Sequence, residues 1–468
     1  MKAVERCDGA LLALRFLVPV CGLAGITTAH ADVTFTPSIK AGVAHTDNLT
    51  LVADNPEPET VYELIPGFNF RETGARISSD VNYSAEAYYY ANRRDSSVFQ
   101  IYNADFKATL DPDNFFLGFG AGRGQAIRDP QEPIPTSNLP ITGNRVDRDD
   151  YYVGPEFQYR LGANATVHGS YRRNHTTYPG GATVVAGGLT VAELDTNTTG
   201  FSVDNYRKEH GLTWAANYTS DQTDYGAHLP KWEFRHAAIE LGTWVGKGTR
   251  LFASAGKESP WDDPTDPTLR DDFYEFGFSK RVGKDFNVDV AGGQRSFGTS
   301  RRAAVSYTFL HGQTSLSYTD GPMTMGRMPT DYLTRPGAVE RFISRRLDWG
   351  LGFRLRRAEL SLSIFDETRE QRTGITGAPL DNQAQSGGSV VATWHLGPRT
   401  GVYVGAATLS QQYSANGRQD LRSGSVGASR TLGARTDLTL DFRHTDSKSA
   451  TVQSYVANLT TLLLTRRF

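Results

Sequence analysis

Cysteine is nearly missing: the 468 residues hold two, Cys7 and Cys21, both within the first thirty positions. Beyond Cys21 the chain can therefore build neither a disulfide framework nor a cysteine metal site. Methionine is almost as scarce, at four. No apolar run reaches the ~18 residues that a membrane-spanning helix needs. A basic excess is absent as well, since 49 Lys and Arg face 51 Asp and Glu for a formal charge of -2, which argues against a nucleic-acid partner. At 38% hydrophobic and 21% charged residues, the chain is too apolar for disorder and too polar for a helical membrane bundle. In abundance are Gly (47), Phe (24) and Tyr (21), residues that suit tight turns, strands and membrane interfaces.

Residues 1–31 read as a secretory signal peptide. Lys2 and Arg6 precede a mostly apolar stretch from Ala10 to Ile26, and Ala29-His30-Ala31 offers small residues for cleavage before Asp32. A short anchoring helix is the alternative, but Arg15 and Pro19 interrupt it. Lipid attachment at Cys21 fits poorly because Val20 stands where a small residue is expected. Residues 32–468 then form one domain.

That domain repeats a single rhythm. Ile77, Ser79, Val81, Tyr83, Ala85, Ala87 and Tyr89 alternate with Arg76, Ser78, Asp80, Asn82, Ser84, Glu86 and Tyr88, so one face is apolar and the other polar. The pattern returns in Tyr102–Leu110, Tyr151–Leu161, Leu347–Leu355, Leu360–Ile364 and Leu438–Phe442. Connections fall into two classes. Short turns include Asp111-Pro112-Asp113-Asn114, and a branched apolar residue followed by Gly recurs at Leu161-Gly162, Val245-Gly246, Val282-Gly283, Leu396-Gly397 and Leu432-Gly433, as expected of tight hairpins. Long polar loops cover Ile127–Val146, Pro179–Gly200, Ser259–Arg270, Asp320–Glu340 and Thr368–Gln385.

Short turns at one end and long loops at the other are the pattern of bacterial outer-membrane barrels. The fold class expected is all-β: a transmembrane, antiparallel up-and-down β-barrel of about 22 strands, within a range of about 18–24. Thr198–Tyr206 and Val402–Leu409 are the two segments that pattern poorly. A secreted propeller or sandwich would also show many strands, but with strands nearer 5 or 6 residues.

No constellation in the sequence points to catalysis, a cofactor or a metal. His168 and Ser170 share a polar face with Arg172 and Asn174, yet every inward position of such a strand is polar. His236, His311, His395 and His444 lack metal-ligand spacing. Asp262-Asp263-Pro264-Thr265-Asp266 does not match an EF-hand loop. Gly118, Gly120, Gly122 and Gly124 alternate with larger residues but precede no helix, so close packing on an inner barrel wall is expected rather than phosphate binding. Tyr88-Tyr89-Tyr90, Tyr151-Tyr152 and Phe115-Phe116 read as an aromatic girdle at the membrane boundaries. Met323, Met325 and Met328 share one loop with Pro322, Pro329 and Pro336; apart from chance clustering, this suggests a loop folded into the lumen. That loop and Pro179–Gly200 are the expected closures of a lumen too wide for single side chains to fill.

The segments Asn-Arg-Arg-Asp, Phe-Gln-Ile-Tyr-Asn-Ala and Asp-Pro-Asp-Asn-Phe-Phe-Leu within Asn92–Gly120, and Thr-Gly-Asn-Arg, Tyr-Tyr-Val-Gly-Pro and Tyr-Arg-Leu-Gly within Thr142–Tyr178, resemble the outer-membrane β-barrel family associated with PEP-CTERM and exosortase systems. The final Leu-Thr-Arg-Arg-Phe is similar too, and a terminal Phe468 resembles the signal read by the barrel-assembly machinery, with Arg466 departing from the usual apolar residue. The resemblance implies a Gram-negative outer-membrane location, outer-membrane lipid and the assembly machinery as partners, and a link to exopolysaccharide export and extracellular protein sorting. It brings no agreed activity and no catalytic residues.

The function expected is a channel or scaffold, with a general diffusion porin as the alternative and an outer-membrane enzyme as the reading from another class. Its lumen would be lined by Asp80, Glu86, Asp105, Lys107, Glu156, Arg160, Arg172, Arg354 and Asp441, a set mixed in sign that favours no single ion charge.

Overall fold

The computed structural model describes residues 32–127, 132–162, 164–179, 183–184, 190–191, 193–205, 211–224, 231–259, 271–324, 341–373, 382–413, 417–450 and 453–468. The predicted signal peptide, the acidic run Asp262–Asp266, and Met325 and Met328 lie outside the described residues.

Alternation of apolar and polar side chains produces strands throughout. They are β1 (Asp32–Thr46), β2 (Glu59–Thr73), β3 (Ile77–Tyr90), β4 (Asp95–Asp111), β5 (Phe115–Ile127), β6 (Arg145–Leu161), β7 (Ala165–Thr177), β8 (Thr183–Val184), β9 (Thr190–Val191), β10 (Glu193–Asp204), β11 (Leu212–Asp224) and β12 (Trp232–Trp244). The second half comprises β13 (Thr249–Glu258), β14 (Asp272–Val282), β15 (Phe286–Arg295), β16 (Gly298–Phe309), β17 (Gly312–Thr324), β18 (Arg341–Arg354), β19 (Ala358–Thr373), β20 (Gln383–Gly397), β21 (Thr400–Tyr413), β22 (Gly417–Gly433), β23 (Thr436–Ser449) and β24 (Tyr455–Arg467). The short pair β8 and β9 forms its own two-stranded sheet, while the other 22 strands make one antiparallel sheet that closes on itself through β1 and β24. Closure leaves no row of unpaired backbone groups, which a sheet in lipid cannot tolerate. Barrel strands run from 10 to 17 residues. The two poorly patterned segments lie mainly in β10 and β21, which pair fully with their neighbours.

The seam of the barrel joins Ser38–Thr46 to Leu459–Arg467. Just beyond it, the Phe468 N–H donates to the Pro37 carbonyl at 2.9 Å. Arg466, the residue that departs from the terminal pattern, donates to Thr436 Oγ1 at 2.7 Å.

Register sorts every strand into two faces. One face is apolar and uncovered: Val33, Phe35, Tyr62, Leu64, Phe119, Tyr159, Ile239, Phe276, Leu316 and Leu440 are all exposed. Exposed aliphatic residues also stand at the turns, as at Leu161, Val245, Val282, Leu396 and Leu432. A continuous apolar band of this kind suits the hydrocarbon of a bilayer. Three of the five expected turn glycines, Gly162, Gly246 and Gly283, have φ of 62°, 101° and 64°, in the left-handed region that favours glycine. Gly397 and Gly433 do not. They sit instead where the register shifts by one residue, beside His395 and Thr431, so the extra residue there is absorbed by a bulge.

Candidate inward loop and lumen wall

The connection between β5 and β6 folds back over the wall beside the seam as a strap. Tyr455 Oη on β24 donates to the Ile134 carbonyl at 2.7 Å, and Tyr90 Oη on β3 donates to the Leu139 carbonyl at 3.1 Å. Arg443 Nη1 on β23 reaches the Thr136 carbonyl at 3.4 Å, and Asn138 Nδ2 donates to Glu86 Oε2 at 2.9 Å. One short segment thus spans the arc β23–β24–β1–β2–β3, and Glu86, Tyr90, Arg443 and Tyr455, which it meets, all stand on the face opposite the exposed apolar set. The residues it meets therefore mark the inner face.

Packing reinforces those bonds. Leu139 is 3% exposed and joins Ala44, Leu49, Val61, Tyr88 and Tyr90 in a buried apolar cluster, with Phe99, Ile141 and Leu459 packed around it. The β1–β2 connection takes part: its Leu49 carbonyl accepts from the Ile141 N–H at 3.0 Å. At the strap's far end, Arg145 donates to the Ser137 carbonyl at 2.8 Å, to the Asn138 side chain at 2.9 Å and to the Pro140 carbonyl. A guanidinium spent on backbone carbonyls fixes a loop that has no ladder of its own. Outside the strands, the Arg93 fork grips Glu57 at 2.8 and 2.9 Å and holds that carboxyl below its usual range.

The aromatic clusters do not all belong to a girdle. Tyr89, Tyr151 and Phe115 have the outward parity expected of a girdle, but Tyr88, Tyr90, Tyr152 and Phe116 point inward. Tyr88 and Tyr90 are 7% and 1% exposed because the strap covers them. Doublets across a pleat must place one ring on each face. Among the described residues, the β5–β6 connection folds inward, with Leu49 of the β1–β2 connection packed against it. Of the two loops expected to fill the lumen, residues 325–340 and most of 180–192 lie outside the described residues, and Met323 stands on β17.

Parity puts Asp80, Glu86, Asp105, Lys107, Glu156, Arg160, Arg172, Arg354 and Asp441 on the inner face. Most are tied to neighbours. Asp80 pairs with Arg71 at 2.6 Å, Arg354 with Glu359 at 2.9 Å, and Glu86 accepts from Tyr88 Oη at 2.8 Å. Asp105 accepts from Tyr152 Oη at 2.7 Å, and Asp441 accepts from Tyr403 Oη. These last two share a plan: a tyrosine lies across a glycine of the next strand, Gly120 or Gly427, to reach an aspartate one strand further. A Cβ on either glycine would collide with the ring. Lys107 Nζ sits 4.2 Å from the centre of the Phe116 ring, and the Arg172 guanidinium 3.8 Å from that of Tyr152, within cation–π range.

Two buried carboxylates were not singled out in the sequence. Glu258 receives Arg295 at 2.7 Å and the Ser296 N–H at 2.7 Å. Glu367 receives Ser344, Arg346, Arg369 and Gln385. Alternation alone marks both as polar wall residues, and nothing local distinguishes them. No hydrogen bond joins His168 to Ser170 among the described residues; His168 faces Asp204 at 4.0 Å. His236, His395 and His444 lie near Glu258, Glu359 and Asn458 respectively, and His311 meets Phe353 edge-on. Among the described residues, no three His, Cys, Asp or Glu side chains gather into a metal-binding group.

No family model matches the chain, and no curated protein does. Solved structures do match. A single-residue mutant of the ferric enterobactin receptor from Pseudomonas aeruginosa aligns over 94% of this chain and 81% of its own, at 10% identity and a TM-score of 0.50. In-vitro folded OmpT, an outer membrane protein of Vibrio cholerae, aligns over 95% and 99% at 11% identity and a TM-score of 0.34. An anion-selective porin from Comamonas acidovorans aligns over 94% and 100% at 10% identity and a TM-score of 0.31. The fold is that of an outer-membrane β-barrel.

Proposed function

We propose that this protein is a channel of the Gram-negative outer membrane for polar solutes, with a lumen narrowed by the strap between β5 and β6. The observation that carries the reading is the strap's double attachment, to Tyr90 on one side and Tyr455 on the other. A loop held at both ends inside a polar-walled barrel reduces the cross-section open to solute while leaving a wet path beside it. A barrel acting purely as a scaffold has no need of such a restriction. The resemblance to the family associated with PEP-CTERM and exosortase systems extends the proposal: the channel serves exopolysaccharide export or extracellular protein sorting, and is inserted by the barrel-assembly machinery.

The test is conductance in planar bilayers. The intact protein is expected to open small, steady channels, and removal of residues 133–143 to enlarge them. Equal conductance with and without the strap removes the restriction, and no conductance in either form favours the scaffold. Loss of secreted polysaccharide in a deletion strain would support the export role; unchanged secretion would overturn it.

A further inference from the structure

Part of the inner wall carries no side chains at all. Register places Lys107 of β4 opposite Gly118 of β5, and Gly118 opposite Gly154 of β6. Gly154 in turn lies beside Arg172 of β7. Two cations thus flank a floor of two glycines in one row that spans three strand spacings, about 14 Å between the outer Cα atoms. A Cβ on Gly118 would meet nothing closer than 3.6 Å, so the space above Gly118 is open, whereas one on Gly154 would meet the Tyr171 carbonyl at 2.6 Å, so that position admits only glycine.

Both cations are held over aromatic rings rather than carboxylates. Lys107 rests on Phe116 and Arg172 on Tyr152, and neither makes an ion pair among the described residues. Five other inward arginines differ: Arg71, Arg250, Arg295, Arg346 and Arg354 each grip an acid. Arg172 Nε donates to Asn174 Oδ1 at 2.8 Å, which leaves its two terminal nitrogens for another acceptor. The Tyr152 ring that supports Arg172 is itself fixed through its hydroxyl to Asp105, so the guanidinium is oriented before any ligand arrives.

We propose that this patch is a binding station for an oxyanion, the carboxylate or phosphate group of a polar solute, with the flat glycine floor seating the body of the solute between Lys107 and Arg172. The proposal rests on the channel reading for its purpose but not for its chemistry. A ring-shaped solute such as a sugar acid fits a floor without side chains, whereas a free phosphate needs only the two cations.

Equilibrium dialysis of the full-length protein in detergent tests it, with labelled glucuronate, labelled inorganic phosphate and labelled maltotriose as probes. Glucuronate is expected to be retained and maltotriose not. In Lys107→Gln/Arg172→Gln, retention should fall about tenfold or more, as expected for the loss of hydrogen bonds to charged groups. Gly118→Leu should lower glucuronate retention with both charges in place. Phosphate retained without glucuronate identifies the free anion as ligand. Retention of neither anion, or equal retention by wild type and the double variant, overturns the site. Heat-modifiable migration verifies that each variant is folded, and Arg172→Gln alone serves if the double variant is not. Conductance of the same samples judges the channel separately: absent conductance with retained glucuronate leaves the site standing.

Discussion

Swapping one residue for arginine at two adjacent positions of β3 tests both the register and the bilayer. Val81 faces outward between Phe70 of β2 and Ala104 of β4, while Asn82 faces inward between Asn69 and Asn103. The outward series on β3 runs from Ile77 to Tyr89, which at about 3.4 Å per residue and a ~45° tilt covers roughly 29 Å of depth. Val81 therefore lies about 5 Å from the middle of the band, where arginine costs about 2–3 kcal/mol, or roughly 30- to 150-fold in the folding equilibrium. Asn82→Arg forfeits a bond from Asn69 at 2.5 Å and one to Asp80 at 2.8 Å. Both are exposed and the new guanidinium can take over the Asp80 contact, so its net cost should stay within about 1 kcal/mol. The assay is the urea midpoint of refolding into lipid vesicles, read as the heat-modifiable fraction on gels. A clear loss for Val81→Arg with near-normal folding of Asn82→Arg is expected. Equal midpoints, or a greater loss at Asn82, would refute the assignment of faces.

Leu139→Ala should loosen the strap, because emptying such a buried site costs about 2–5 kcal/mol; the check is higher or noisier single-channel current in a barrel whose melting is little changed. Gly120→Val should destabilise the barrel by displacing the Tyr152 ring, and pairing it with Tyr152→Ala should restore part of the loss in the same vesicle assay. Phe468→Ala should lower the amount of barrel assembled in cells while purified protein still refolds in vesicles; equal loss in both settings would remove its role as an assembly signal. N-terminal sequencing of envelope-purified protein should begin at Asp32, and recovery of Met1 or an acylated Cys21 would contradict the predicted cleavage.

Alternation made the faces legible because a strand in a barrel wall sees lipid on one side and water on the other, and Val81 and Asn82 already carry that difference. The count of 22 followed from the same signal. What stayed hidden depends on distant partners. Tyr88 and Tyr90 look like girdle residues until a loop some fifty positions later is seen to cover them, and no local pattern distinguishes a loop that folds inward from one that does not. Lys107 and Arg172 were expected on the wall, but their glycine floor depends on Gly118 and Gly154 meeting across two strands. Likewise, Gly397 and Gly433 share the turn motif of Gly162; the bulge that sets them apart is a property of the pair of strands.

The seam has a consequence for how the molecule forms. Nearly every strand pairs with its neighbour in sequence, so the wall can grow hairpin by hairpin through contacts that cost little chain entropy. Only β1 and β24 must find each other across more than 400 residues, through nine paired positions, Ser38–Thr46 with Leu459–Arg467, a contact that carries the largest loop-closure cost of the barrel. Until it forms, the first and last strands are both raw edges, each able to capture another chain. The bond from Phe468 to Pro37 ties down the very end of the chain just past that closure. Pairing of β1 with β24 removes both edges at once and leaves no open strand in the wall.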